Sequence, residues 1–91
     1  MNTIKPLRNP DITLQDIGNE VVLYSATADA VHVLNPTAKL IWELCDGQHT
    51  LADIEQALRA NFAIPPDQDV MADVRQTLET FAAKGLLHGR F

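Results

Sequence analysis

Histidine, cysteine and serine are the residues of this 91-residue chain best suited to acid–base, metal or nucleophilic chemistry. The three histidines, His32, His49 and His88, are scattered singly, and none has the i, i+4 helical spacing of a zinc protease motif. Cys45 falls on the apolar side of a predicted helix, where a buried small hydrophobic residue is commoner than a nucleophile. The only serine, Ser25, lacks the flanking glycines of a nucleophile elbow. The sequence therefore predicts no catalytic or metal site, and we expect a protein that is not an enzyme.

The distribution of glycines, the net charge and the cysteine content argue against further classes of protein. The four glycines are dispersed and form no phosphate-binding loop, so we expect no cofactor. A formal net charge of −5 disfavours nucleic-acid binding, which usually depends on clustered lysine and arginine. A single cysteine cannot form an intramolecular disulfide, which is typical of proteins in a reducing compartment.

The first ten residues contain two prolines and no periodic apolar pattern. We predict a flexible N-terminal arm over residues 1–10 and one domain over residues 11–91. Lys5 and Arg8 are followed by no apolar run, so neither a signal peptide nor a membrane span is predicted. We therefore expect a cytoplasmic protein without membrane contact.

Three short strands are predicted after this arm. Apolar and polar residues alternate over Ile12–Ile17, and Gly18-Asn19 is a turn signal. The β-branched and aromatic residues of Glu20–Ser25 predict a second strand, and Val31–Leu34 reads as a third after a short loop. Three short sequential strands indicate an antiparallel meander.

Three helices are predicted after the strands. Asn35 is a favoured N-cap, and Pro36 suits the first helical position. Thr50 caps a second helix, with Asp53 at its third position, where a carboxylate favours the positive end of the helix dipole. A third, longer helix begins around Asp67, after two consecutive prolines. The pattern predicts an α+β, winged-helix-like domain, in which a three-stranded antiparallel sheet is followed by three helices and packs its apolar face on them.

The third strand is an edge of the predicted meander. An exposed edge presents unpaired backbone amides and carbonyls, to which another chain can add a strand. Val31, His32, Val33 and Leu34 are therefore a candidate binding edge. Two alternatives stay open: a neighbouring helix or the C-terminal tail covers the edge, or a second copy of the chain pairs with it to form a homodimer.

The apolar arc of the third helix is wider than the line of its core residues. On a helical wheel, Met71 and Ala82 extend the arc on the side where Leu78 and Arg75 also lie. These four residues are a candidate groove wall. The alternative is ordinary core packing for Met71, and an ion pair with Glu79 for Arg75.

The strand-to-helix stretch resembles a known family. The motifs that carry the resemblance are Leu34-Asn35-Pro36-Thr37-Ala38, Ile41-Trp42-Glu43-Leu44-Cys45-Asp46-Gly47, Thr50-Leu51-Ala52-Asp53-Ile54 and Gly85-Leu86-Leu87. Together they are similar to the PqqD family over roughly Ile12 to Leu87.

Resemblance to this family implies a RiPP recognition element, a peptide chaperone without catalytic activity. Such modules bind the leader of a ribosomally made, post-translationally modified precursor peptide as an added strand, beside the third strand and against the third helix. They present it to a modifying enzyme, which is a radical S-adenosylmethionine enzyme in pyrroloquinoline quinone biosynthesis. By this resemblance the pairing edge is Val31, His32, Val33 and Leu34, and the facing wall is Met71, Arg75, Leu78 and Ala82.

The chain departs from the family ahead of the third strand. Members dedicated to pyrroloquinoline quinone usually have a Pro-Glu-like turn there, whereas this chain has Ala26-Thr27-Ala28-Asp29. The resemblance therefore leaves open whether the pathway is that of pyrroloquinoline quinone or of a related peptide product.

Two other functions are compatible with a winged-helix-like domain. A DNA-binding protein would place the second or third helix in the major groove. Against this, the second helix has only Arg59 as a cation, and the third has Arg75 and Lys84 among four carboxylates. A structural partner would dock on an enzyme without contacting its substrate.

Overall fold

The computed structural model describes residues 4–18, 20–25 and 30–88. Within them, three strands are followed by three helices, which confirms the predicted α+β, winged-helix-like fold. The elements are β1 (Ile12–Ile17), β2 (Glu20–Ser25), β3 (Ala30–Leu34), α1 (Pro36–Glu43), α2 (Leu51–Asn61) and α3 (Val70–Ala83). Among the described residues, none of these helices has the length and apolarity that crossing a bilayer requires.

The strands form one antiparallel sheet in the order β1-β2-β3. Ile17 pairs with Glu20, so a two-residue turn joins the first two strands. Gly18 begins this turn with a φ of 74°, which glycine adopts without the steric cost of a Cβ. Asn19 lies outside the described residues, as do residues 26–29, where the sequence predicts a loop before β3.

The two faces of the sheet differ in burial. Val21, Leu23 and Leu34 are buried against the helices on the inner face. On the outer face, Val31 and Val33 are 59% and 62% exposed. Val22, which pairs with Val33, is only 8% exposed on that same face, so the alternation of buried and exposed side chains holds along β3 and is interrupted in β2.

The turn from β3 into α1 occurs where the sequence predicts it. The Asn35 side chain accepts a hydrogen bond from the backbone N–H of Ala38 at 2.8 Å, and Pro36 occupies the first helical position. Proline loses no hydrogen bond there, because the first N–H groups of a helix have no partner within it. The predicted N-cap is confirmed.

The start of α2 is a reciprocal capping box. Thr50 Oγ1 accepts from the Asp53 N–H at 3.2 Å, and Asp53 Oδ2 accepts from the Thr50 N–H at 2.9 Å. The backbone hydrogen bond from Thr50 holds the pKa of the Asp53 carboxyl below its usual range. The predicted cap is therefore confirmed together with its carboxylate partner.

Helix α3 begins later than predicted. Residues 65–68 form a turn, closed by a hydrogen bond from the Gln68 N–H to the Pro65 carbonyl. Asp69 then caps the helix by accepting from the Ala72 N–H at 3.0 Å, so Val70, not Asp67, is the first helical residue. Because the chain must complete this turn after its two prolines, the start shifts by three residues.

One apolar cluster joins the sheet to the helices. At its centre, Trp42 of α1 and Phe81 of α3 meet edge-to-face, with ring centroids 5.7 Å apart. This geometry suits the aromatic quadrupoles and ties two helices that are distant in sequence. Both side chains are buried, so this contact belongs to the core.

The N-terminal segment differs from the predicted flexible arm. Residues 1–3 lie outside the described residues, but Pro6 is fully buried. The backbone of Leu7 bridges to Asp46, and that of Arg8 bridges to Leu87. The segment therefore joins the end of α1 to the end of α3. The sequence did not reveal this, because isolated bridges give no period-two pattern.

Arg8 makes a second set of contacts through its side chain. Its Nη1 donates to the backbone carbonyls of Trp42 at 3.1 Å and Glu43 at 2.7 Å. These carbonyls lie in the last turn of α1, where helical carbonyls lack partners within the helix. A cation there also offsets the negative end of the helix dipole. Arg8 thus caps α1 from outside.

Cys45 is a core residue. Its side chain is fully buried, and the thiol donates to the Ile41 carbonyl at 3.1 Å. Burial raises the pKa of the Cys45 thiol to about 12, because the thiolate would lose its solvation. The side chain is therefore held as a neutral thiol at physiological pH.

We predict that Arg8→Ala lowers the free energy of unfolding by about 1–2 kcal/mol, since two charge-assisted hydrogen bonds are lost. Lys5→Ala is the control, because it also removes a cation from this segment. It should lower the free energy of unfolding by less than about 0.5 kcal/mol. Urea denaturation measures both. Equal midpoints for the two variants would contradict the capping role of Arg8.

We predict that iodoacetamide modifies native Cys45 at pH 8 at least about a thousandfold more slowly than an unfolded thiol. At this pH the native thiolate fraction is about three orders of magnitude smaller, before steric protection is added. Mass spectrometry of native and denatured protein measures the two rates. Rapid alkylation of the native chain would place the thiol at a reactive surface instead.

Candidate functional site

The sheet register determines which backbone groups of β3 point outwards. Residues that flank a two-residue turn form a hydrogen-bonded pair, and pair types alternate along an antiparallel ladder. Since Ile17 and Glu20 flank such a turn, Val21 and Leu23 direct their backbone groups towards β3. Through the β2–β3 register, the N–H and C=O groups of residues 31 and 33 then point away from β2.

These outward groups remain available in the described part of the chain. Outside the β2–β3 ladder, no backbone hydrogen bond between described residues involves Val31 or Val33. The predicted edge is therefore not covered by a described strand, and helix α3 lies beside it across a groove.

The groove between β3 and α3 has a volume of about 190 Å³. Its strand side is formed by His32, Val33 and Leu34, and its floor includes Ala38 and Leu86. The residues that α3 and its C-cap contribute are Thr77, Thr80, Phe81 and Lys84. The groove runs directly alongside the open edge, so an added strand would place alternate side chains in it.

The α3 wall combines apolar and polar groups. Phe81 is buried at the base. The hydroxyls of Thr77 and Thr80 donate to helix carbonyls, those of Asp73 and Gln76, at 2.9 and 3.0 Å. Their hydroxyl protons are thus used within α3, and the groove meets threonine methyls and acceptor oxygens. Lys84, which is exposed, supplies a positive charge at one end.

The four residues of the predicted edge have two orientations. The side chains of Val31 and Val33 lie on the exposed outer face, so these residues offer mainly backbone to the groove side. His32 is half-buried on the inner face and lines the groove. Leu34 is buried at the junction of groove and core.

The structure places the four predicted wall residues elsewhere. Leu78 is completely buried beneath the groove, and Met71 is half-buried against the core at the start of α3. Arg75 and Ala82 are exposed and do not line the groove. On the helical wheel these residues lie to one side of the core line, and the groove lies on the other.

Three groove residues outside the predicted wall form a polar stripe on α3 and its C-cap. Thr77, Thr80 and Lys84 recur at three- and four-residue spacing next to the core line of α3. The apolar pattern of the sequence indicates the other flank instead, that of Met71 and Ala82. Only the position of α3 relative to β3 in the folded protein shows which flank of the core line faces the strand.

The histidines are separate in space as well as in sequence. His32 lies in the groove, whereas His49 contacts Asp46 Oδ1 through Nδ1 at 2.9 Å. That hydrogen bond is the main reason why the pKa of Asp46 is lowered. The described residues contain no group of three or more His, Cys, Asp or Glu side chains able to hold a metal ion.

The helix cations do not favour DNA binding. Arg59 of α2 is engaged within the chain: Nε donates to Glu55 at 3.4 Å, and Nη2 donates to the Gln68 carbonyl at 2.8 Å. Arg75 and Lys84 of the α3 region lie on opposite flanks of the helix core line. The described surface of these helices therefore lacks the shared basic face that phosphate binding needs.

Two solved structures are similar to this chain. One is TbiB1 in complex with the TbiA(beta) leader peptide, with 25% identity, a TM-score of 0.79, and coverage of 93% of this chain and 98% of that one. The other is lasso peptide synthetase B1 complexed with the leader peptide, with 21% identity, a TM-score of 0.80, and coverage of 93% and 99%. A comparison with curated proteins gives no match.

The family comparison covers most of the sequence. Residues 20–87 match the family described as coenzyme PQQ synthesis protein D (PqqD). The matched range includes β2, β3, all three helices and every residue that lines the groove. The chain belongs to the PqqD family.

Proposed function

We propose that this protein is a non-catalytic binding module for the leader segment of a ribosomally made precursor peptide. The leader adds as a fourth strand along β3 and packs its inward side chains into the groove against α3. The observation that carries this proposal is an open strand edge directly beside a partly apolar groove. Family membership and the leader-peptide complex of TbiB1 support it.

Affinity in this arrangement comes mainly from the backbone. Val31 and Val33 each offer an outward N–H and C=O, and a net hydrogen bond contributes about 0.5–1.5 kcal/mol. Main-chain pairing of this kind is tolerant of sequence. Selectivity therefore depends on the side chains that enter the groove between His32 and Thr80, above buried Phe81.

The module acts by presenting the bound leader to a second protein. We assign that role to a peptide-modifying enzyme, a radical S-adenosylmethionine enzyme or one of another class, in the pyrroloquinoline quinone pathway or a related one. A cytoplasmic location fits this role, because precursor and enzyme are made there. A gene for a small peptide beside a gene for a radical enzyme, next to the gene for this chain, would support the assignment.

We predict that Val33→Pro weakens binding of a strand-forming peptide by at least about tenfold. Proline removes an outward N–H without removing a β2–β3 bond. The probe is a binder selected from displayed random peptides of about 12 residues, which extend over ~40 Å. Calorimetry measures its affinity.

Asp16→Pro is the matched control, because Asp16 points its backbone outwards from the opposite edge, on β1. This variant should bind the probe as the parent protein does. Equal losses of affinity in the two folded variants would contradict strand addition at β3, and so would a library that yields no binder.

We predict that Thr80→Trp blocks the groove and lowers the affinity for the same peptide probe by about tenfold or more. Ala82→Trp should change this affinity little. Both positions are exposed and only two residues apart, but Thr80 lines the groove and Ala82 does not. Fluorescence anisotropy of labelled probe compares the two. If Ala82→Trp were the damaging change, the wall would be the Met71–Ala82 side of α3.

A further inference from the structure

A second, more enclosed pocket lies between the three helices. Its volume is about 200 Å³. Three of its lining residues, Ile41, Leu58 and Val70, are buried core residues, and Ile64 of the α2–α3 linker is half-buried. The polar residues that complete the lining are Thr37, Gln68, Asp73 and Thr77. The pocket thus has an aliphatic base and a polar rim.

This pocket adjoins the groove beside β3. Thr77 lines both cavities, so the two meet along α3. Asp73, Thr77, Thr80 and Lys84 are spaced i, i+4, i+7 and i+11, which places them in a single stripe along the helix. Groove and pocket therefore adjoin at Thr77, and the open strand edge runs along the groove alone.

The stripe carries opposite charges at its two ends. Lys84 is at the groove end and Asp73 at the pocket end, separated by ~16 Å along the helix axis at ~1.5 Å per residue. An extended peptide covers that distance in about five residues. The Asp73 carboxylate accepts from Gln68 Nε2 at 2.8 Å, and no ion pair with a described residue neutralises it.

We propose that this inter-helical pocket is a second subsite for the peptide of the proposed function. Its occupant is the part of the bound peptide that continues past the end of β3. One aliphatic side chain enters the pocket, and a neighbouring lysine or arginine pairs with Asp73. An acidic residue about five positions away meets Lys84. The charges thereby fix the direction and register of a peptide that backbone pairing alone would leave free to slide.

A selection experiment tests the composition of the occupant. Random peptides of about 12 residues are selected on the parent protein and sequenced. The proposal expects enrichment of a basic residue beside an aliphatic one, with an acidic residue about five positions away. Binders without this charge pattern would overturn the second subsite, and a lack of any binder would overturn the proposed function together with it.

A charge-reversal experiment then separates the two proposals. Asp73→Lys should weaken a selected binder by about five-fold, and exchanging the binder's basic residue for glutamate should restore affinity. Glu79→Lys is the matched control, an exposed carboxylate on α3 away from both cavities. If Val33→Pro weakens binding while Asp73→Lys and Glu79→Lys bind the peptide equally well, the edge site stands and the second subsite is wrong.

Discussion

The turn from β3 into α1 is the constraint on which the rest of the structure depends. Asn35 accepts the hydrogen bond that starts α1, so the strand ends at Leu34, and Ile41 and Trp42 of the helix join the same buried cluster as the inner face of the sheet. This turn leaves β3 at the edge of the sheet, and no later strand within the described residues pairs with it. It also carries the chain on to α3, whose packing on the core forms the opposite side of the groove.

The N-terminal segment completes this arrangement from the opposite end of the sequence. Arg8 caps the last turn of α1, and the backbone N–H of Asn9 donates to the carbonyl of Leu86 at 2.9 Å. Leu86 forms part of the groove floor. Residues that contact no part of the edge strand therefore help to position the site, because they tie the ends of α1 and α3 together.

The fold could be predicted from the sequence because its signals are local. A cap at Asn35, a capping box at Thr50 and alternation in the strands each depend on neighbouring residues. The strand edge followed from the order of elements. The groove wall did not, since only tertiary packing determines which flank of α3 faces β3. Met71 widens the apolar arc on one flank of α3, but the groove is lined by the opposite flank, which carries Thr80.

In the proposed function, a peptide pairs with the outward backbone groups of β3. Amide hydrogen exchange with and without saturating library-selected peptide tests it most directly, because it resolves single residues. We expect the Val31 and Val33 amides to exchange rapidly in the free protein and to become protected in the complex. His32, whose amide faces β2, should change little. Unchanged exchange at both valines in the saturated complex would contradict strand addition.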